Sequence, residues 1–174
     1  MNKLFLTGIF QAILCLSAQA YAASDVNTVV INYSGLVVAA TCEVKTTNVD
    51  IIFKDAIGAN MLESLGDRTD WNSGYSIELT GCEPGSLVSM TMAGTPDADV
   101  QFYKNEGTAE NIMIELSGDD ENHRYYNGFV KDFYLSPQES NLSIPLKARL
   151  LNNGRGAATP GTVKAVVTAT FSYQ

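Results

Sequence analysis

Cysteine is the residue type in this chain with the most definite chemistry. The sequence has three cysteines. Cys15 lies in an apolar stretch near the start, whereas Cys42 and Cys82 lie farther along the chain. Two thiols can form a disulfide or contribute to a zinc site. Zinc would need further ligands, and the single histidine, His123, is distant in sequence. We therefore expect a Cys42–Cys82 disulfide in preference to a metal site.

The other polar residues give little indication of catalysis. His123 has no serine or cysteine nucleophile plausibly paired with it, which favours a solvated loop position over a general base. The acidic run Asp119–Glu121 could bind calcium, but it lacks the alternating ligands and central glycine of a calcium loop. No pair of carboxylates indicates glycoside hydrolysis. We expect no catalytic residue, no metal and no cofactor.

Aromatic side chains offer another possible binding chemistry. Trp71, Tyr103, Tyr125 and Tyr126 could form a platform on which a sugar ring stacks. Aromatic residues in loops and at strand ends more often pack within the domain. A self-contained, secreted carbohydrate-binding adhesin module is therefore kept as the alternative function.

The first 22 residues indicate export. Lys3 precedes the apolar run Leu4–Leu16, which is short for a bilayer span. Two cleavage sites of the small-x-small type follow, ending at Ala20 and at Ala22. We favour cleavage after Ala22, so that residues 1–22 form a signal peptide. An oxidising destination also favours the disulfide.

Charge and length limit the class of protein further. The formal net charge is −8, which argues against nucleic acid or anionic lipid as partners. After removal of the signal peptide, about 150 residues would remain, which predicts one domain.

The final fourteen residues alternate between apolar and polar side chains. This period of two predicts a half-buried β-strand. The strand runs to the last residues, so we expect no later strand to cover its second edge. Because an open apolar edge invites aggregation, something else must cover it. The apolar side consists of Val163, Ala165, Val167, Ala169, Phe171 and Tyr173.

Short alternating segments separated by turn residues recur through the chain. Their spacing predicts an all-β sandwich of the immunoglobulin type. Long amphipathic helices are not predicted; residues 56–71 indicate at most a helical turn. The predicted strands before the last are Gly35–Val44, Val49–Phe53, Tyr75–Cys82, Leu87–Met92, Val100–Tyr103, Ile112–Leu116, Phe133–Leu135 and Leu142–Leu151.

In order and spacing, these segments resemble the subunits of chaperone–usher fimbriae, most closely the type 1 pilin family. The resemblance covers essentially the whole chain after the signal peptide. It is carried by Tyr33–Val38 with Cys42 seven residues after Gly35, by Tyr75–Cys82 and Ile144–Arg149, and by Thr159–Gly161 with the ending Phe171–Gln174.

The resemblance implies an incomplete immunoglobulin-like sandwich that lacks its last strand. In that family a periplasmic chaperone lends a strand first, and the N-terminal arm of the next subunit then replaces it by donor-strand exchange. Residues 23–34 would be the donor-strand extension and residues 35–174 the pilin domain. The implied donor anchors are Val26, Val29, Ile31 and Tyr33. The final strand, from Val163 to Tyr173, would form one side of the groove that the chaperone and the neighbouring arm occupy.

The resemblance also implies a function in cell adhesion. The protein would be a non-enzymatic structural subunit of a bacterial surface fimbria, exported through the periplasm. Its partners would be a periplasmic chaperone, an outer-membrane usher and neighbouring fimbrial subunits. Residues 23–34 lack the glycine that many fimbrial arms carry, and the acidic segment Asp119–Tyr126 differs from a plain rod subunit. Both departures favour a minor, tip or adaptor subunit.

Overall fold

Two antiparallel sheets contain all eight strands that the structure describes. The structure is a computed structural model, and it describes residues 42–53, 56–119 and 123–174. One sheet has the order β1-β2-β7-β5-β4 and the other has the order β6-β3-β8. The strands are β1 (Glu43–Val44), β2 (Asn72–Thr80), β3 (Leu87–Gly94), β4 (Tyr103–Lys104), β5 (Ile112–Ser117), β6 (Val130–Tyr134), β7 (Asn141–Asn152) and β8 (Val167–Tyr173).

The core lies between the sheets and follows the period of two in the sequence. Alternate residues of the strands point inward and lose their contact with water. Most of the predicted inward residues of β2 and β3 are buried, with relative exposures of 7% or less for Ile77, Leu79, Val88, Met90 and Met92. The predicted inward residue Tyr75 is only partly buried against the core. The central side chains include Ile77, Leu79, Val88, Met90, Met92, Ile144, Leu146 and Leu150.

Four predicted strands differ from the structure. Of the segment Val100–Tyr103, only Tyr103 is in a strand, where it begins β4. Of the segment Gly35–Val44, only Glu43–Val44 is a strand within the described residues. The segment Val49–Phe53 is not in a strand, although its side chains alternate between the core and solvent. The last strand begins at Val167 rather than near Gly161. A β-ladder needs a main-chain partner as well as alternating side chains, and the sequence pattern shows only the alternation.

Turns lie close to the predicted positions. The Pro-Gly pair after Cys82 forms a turn in which the N–H of Ser86 donates to the carbonyl of Glu83. Gly85 there has a φ of 81°, a left-handed conformation that glycine adopts without strain. The expected helical turn is a short 3₁₀ segment, Ala59–Met61.

Strand β5 is buried on both faces. All six of its residues are buried, and its outward face carries Glu115, which is 1% exposed. The Arg149 Nε lies 2.7 Å from one carboxylate oxygen, and Arg124 pairs with the other. The guanidinium of Arg149 also lies 4.1 Å above the ring of Trp71. A buried carboxylate is tolerated here because two cations satisfy both of its oxygens.

We expect Arg149→Met to destabilise the domain by about 3 kcal/mol, because it leaves a buried carboxylate with only one cation. Urea-induced unfolding measures this loss. The matched control is Glu43→Gln, which removes the exposed Glu43–Lys45 pair and should change stability by less than about 1 kcal/mol. Equal effects of the two variants would contradict a structural role for the buried cluster.

Candidate functional site

Strand β8 forms one edge of the three-stranded sheet. Its first side pairs with β3, from Val88–Tyr173 to Gly94–Val167. Along its second side, no strand of the described residues is paired with it. Such an edge presents main-chain N–H and C=O groups that another strand can bind.

The segment 46–53 lines the same groove as the open edge of β8. Val49, Ile51 and Phe53 pack against the core, whereas Ile52 is 61% exposed. The side chains thus alternate as in a strand, yet the segment belongs to neither sheet. Two stretches that lack a full set of strand partners among the described residues therefore border one groove.

The groove consists of two adjoining cavities. One has a volume of about 720 Å³ and lies above inward residues of the five-stranded sheet, including Ile77, Ile114 and Leu146. The second has a volume of about 650 Å³ and is lined largely by apolar side chains, among them Leu62 and Leu150. The same residues, 51–53 and Val163, line both cavities. In the described part of the chain, an elongated and mostly apolar opening therefore leads into the interior of the sandwich.

The six predicted groove residues have distinct positions. All six are partly buried against the core. Val163 and Ala165 lie in the lead-in before β8, and the other four lie within β8. Five of them line the larger cavity, whereas Tyr173 does not. Tyr173 pairs with Val88, and burial raises the pKa of its hydroxyl.

The structure adds Tyr103 to the groove. This residue is 1% exposed and lines the larger cavity. Its hydroxyl has no hydrogen-bond partner among the described residues, and burial raises its pKa above the ordinary value. The sequence pattern placed Tyr103 at the end of a short strand, but only the tertiary structure brings that strand beside β8.

The predicted disulfide joins Cys42 to Cys82, with their Cα atoms 4.2 Å apart. Cys42 directly precedes β1, and Cys82 follows β2 by two residues. The bond therefore fixes the start of the segment that becomes one border of the groove. Because the two cysteines are joined in a disulfide, they do not bind zinc.

Residues 1–41 lie outside the described residues. They include the predicted donor anchors Val26, Val29, Ile31 and Tyr33. Residues 120–122 of the acidic segment also lie outside the described residues. Within the ranges that the structure describes, no group of three or more His, Cys, Asp or Glu residues is arranged to hold a metal ion. The same ranges contain no helix that is long and apolar enough to cross a membrane.

The four aromatic residues considered as a sugar platform do not share an exposed surface. Tyr103 and Tyr125 are each 1% exposed. The ring of Trp71 is covered by Lys147 and Arg149, whose charged groups lie 4.9 and 4.1 Å from its centroid. Tyr126, at 37% exposure, packs edge-on against Phe129. These rings contribute to packing, and their faces are largely used within the domain.

The model of the family described as "Fimbrial protein" matches residues 31–174. The match begins before the disulfide and includes both borders of the groove. The chain belongs to the fimbrial protein family. It is accordingly a subunit of bacterial surface fimbriae, whose subunits are exported through the periplasm.

Two curated relatives match this fimbrial subunit along most of their length. It is 35% identical over 166 residues to Protein FimG of Escherichia coli strain K12, covering 95% of each chain. It is 34% identical over 155 residues to the S-fimbrial adhesin protein SfaS of Escherichia coli O6:K15:H31, strain 536, covering 88% of this chain and 90% of that protein.

A solved structure supports the fold. The subunit resembles the P pilus rod subunit PapA with a TM-score of 0.60 and 16% sequence identity, over 76% of this chain and 99% of that one. The predicted fold class is therefore confirmed: an all-β, immunoglobulin-like sandwich that is incomplete. The groove beside β8 lies where strand pairing is missing from the described part of the sandwich.

Proposed function

We propose that this fimbrial subunit polymerises by donating its N-terminal arm, residues 23–34, to one neighbour while its groove accepts the arm of another. The observation that carries the proposal is the open edge of β8 beside the 720 Å³ groove. Strand addition uses main-chain hydrogen bonds for affinity and side-chain pockets for specificity. Such a head-to-tail contact does not close on itself, so it produces a fibre.

The arm carries apolar side chains suited to a groove of this kind in the neighbouring subunit. Val29, Ile31 and Tyr33 fall on one face of an extended chain, with Val26 as a further anchor. Burial of each side chain contributes roughly 1.5–3 kcal/mol, or about 5–9 kcal/mol for three. Association costs an estimated 4–15 kcal/mol, which is similar in size. A durable joint therefore also needs the main-chain ladder and the folding that is completed when the strand arrives.

Before assembly, another protein must cover the groove. A periplasmic chaperone lends a strand along β8, an outer-membrane usher then presents the subunit to its neighbours, and the incoming arm displaces the chaperone. The exposed apolar groove supports this order, because an uncovered edge would aggregate in the periplasm. The assembled subunit has a structural and adhesive role without enzymatic activity.

The subunit occupies a minor position, at the tip or as an adaptor, in our proposal. The relative SfaS, which is named as an adhesin, supports this position, as do the lack of glycine in residues 23–34 and the acidic segment 119–126. The stoichiometry of subunits in purified fimbriae tests it. A copy number similar to that of the rod subunit would contradict it.

Deletion of residues 23–34 tests donation of the arm separately from capture of the groove by the chaperone. We expect the deleted subunit to be captured by its chaperone as well as the full-length chain, because β8 and the groove remain. We expect it to lose donation to the preceding subunit, because the donor strand is absent. Co-purification with the chaperone and recovery of subunit dimers measure the two activities.

A point variant of the same arm serves as the control. Asn32→Ser alters a residue on the opposite face from Val29 and Ile31, so it should preserve donation. Loss of chaperone capture on deletion, or undiminished dimer formation, would contradict the assignment of the arm.

A further inference from the structure

Strand β6 forms the second edge of the three-stranded sheet. On the side away from β3, no strand of the described residues is paired with it. The N–H of Leu135 donates to the carbonyl of Ser86, and such pairs recur at every second residue of an antiparallel ladder. The main-chain groups of Lys131 and Phe133 therefore face β3. Those that face away belong to Val130, Asp132 and Tyr134.

Two edges of the described sandwich are long enough to accept a strand. The five-stranded sheet ends in β1 and β4, which have two residues each. Such short edges offer few main-chain groups. The three-stranded sheet ends in β6 with five residues and β8 with seven. A strand seeking a partner thus has two candidate edges, and they differ in the side chains of their inward faces.

The inward face of β6 carries a charge. Lys131 pairs with Met90, and Phe133 pairs with Val88. Directly paired residues lie on the same face of a sheet, and both β3 partners are 0% exposed. Lys131 therefore lies on the face towards the core. It is partly buried, and its ammonium lies 5.3 Å from the centroid of the Phe133 ring.

The inward face of β8 carries no charge. Its side chains pack against the core, and its residues Val167, Ala169 and Phe171 line the groove. A strand that adds to β8 therefore meets apolar side chains, whereas a strand that adds to β6 meets an ammonium group.

We propose that Lys131 excludes strands from the edge of β6 and so directs strand addition to β8. This inference rests on the proposed function and adds a residue that determines which edge is used. A strand with apolar anchors, such as Val29 and Ile31 of the arm, would enclose the ammonium of Lys131 when it paired with β6. Burial of a charge without a partner is unfavourable, and a charged residue that points inward protects an edge strand from pairing.

The chaperone-bound subunit tests this proposal, because β8 is then covered while β6 lies on the other side of β3. Sedimentation equilibrium measures self-association of the complex. We expect Lys131→Met, which removes the charge and keeps an unbranched side chain, to strengthen self-association at least about tenfold over the wild type. Capture by the chaperone should not change, because Lys131 does not line the groove.

Two further variants serve as controls. Lys104→Met removes an exposed lysine from the two-residue strand β4, so self-association should change by less than about twofold. The double variant Lys131→Met/Asp132→Pro lacks a main-chain N–H that faces away from β3. Proline is tolerated at such an edge but cannot donate to a new ladder, so this variant should return to the self-association of the wild type.

Each outcome supports or overturns the role of Lys131. Equal self-association of the wild type and Lys131→Met would overturn it, as would an increase that proline does not reverse or that Lys104→Met reproduces. Lys131→Gln removes the same charge if the methionine variant does not fold, and its failure to associate would also overturn the role. The proposed function fails by a different result, in which the wild-type complex does not exchange its chaperone for a peptide of residues 23–34.

Discussion

Phe171→Asp is expected to abolish capture of the subunit by its chaperone, reducing the co-purified complex by at least about tenfold. Phe171 lies in β8 and its side chain lines the groove. The substitution removes an apolar contact and places a carboxylate where the inserted strand would bury it. Burial of an unpaired charge costs several kcal/mol, and each 1.4 kcal/mol changes an equilibrium constant tenfold.

Thr170→Asp provides the matched control. It introduces the same charge into the same strand, but Thr170 is exposed and does not line the groove. We expect capture of this variant to remain within about twofold of the wild type. Normal capture of Phe171→Asp, or an equal loss with Thr170→Asp, would contradict strand addition at β8.

Removal of the Cys42–Cys82 disulfide should destabilise the subunit by about 4 kcal/mol. The two cysteines are 40 residues apart, and opening a loop of that length restores the corresponding entropy to the unfolded chain. The bond also fixes the start of the segment 46–53, so its loss should weaken retention of the inserted arm. Urea-induced unfolding of the peptide-filled subunit measures the change for Cys42→Ser/Cys82→Ser.

A reducing agent supplies the control for this pair of substitutions. The wild type in reductant should lose the same stability as the double variant, and the double variant itself should not respond. A wild type whose unfolding midpoint is unchanged by complete reduction would contradict the expected contribution of the disulfide.

Side-chain alternation predicted much of the sandwich. The inward residues of β2, β3 and β7 follow a strict period of two, and their burial agrees with that pattern. The expected disulfide formed between the predicted cysteines. These features depend on residues close together in sequence, or on the small number of cysteines available.

The pairing of strands within the two sheets was predictable only in part. The segment 49–53 has the alternation of a strand but belongs to neither sheet, and β8 begins four residues after Val163. Periodicity reports which face of a strand is apolar, whereas a ladder depends on which segments approach each other. Tyr103 shows the same limit, since its sequence neighbours give no sign that its hydroxyl would be buried beside β8.

The sequence alone therefore determined the class of fold, the inward faces of its strands and the residue pair of its disulfide, because each follows from side-chain type and spacing. For the described residues, the tertiary structure decided that β8 pairs along one edge with β3, that residues 46–53 border the same groove, and that the ring of Tyr103 is buried beside it. Those properties arise from contacts between segments far apart in the chain, which no local pattern encodes.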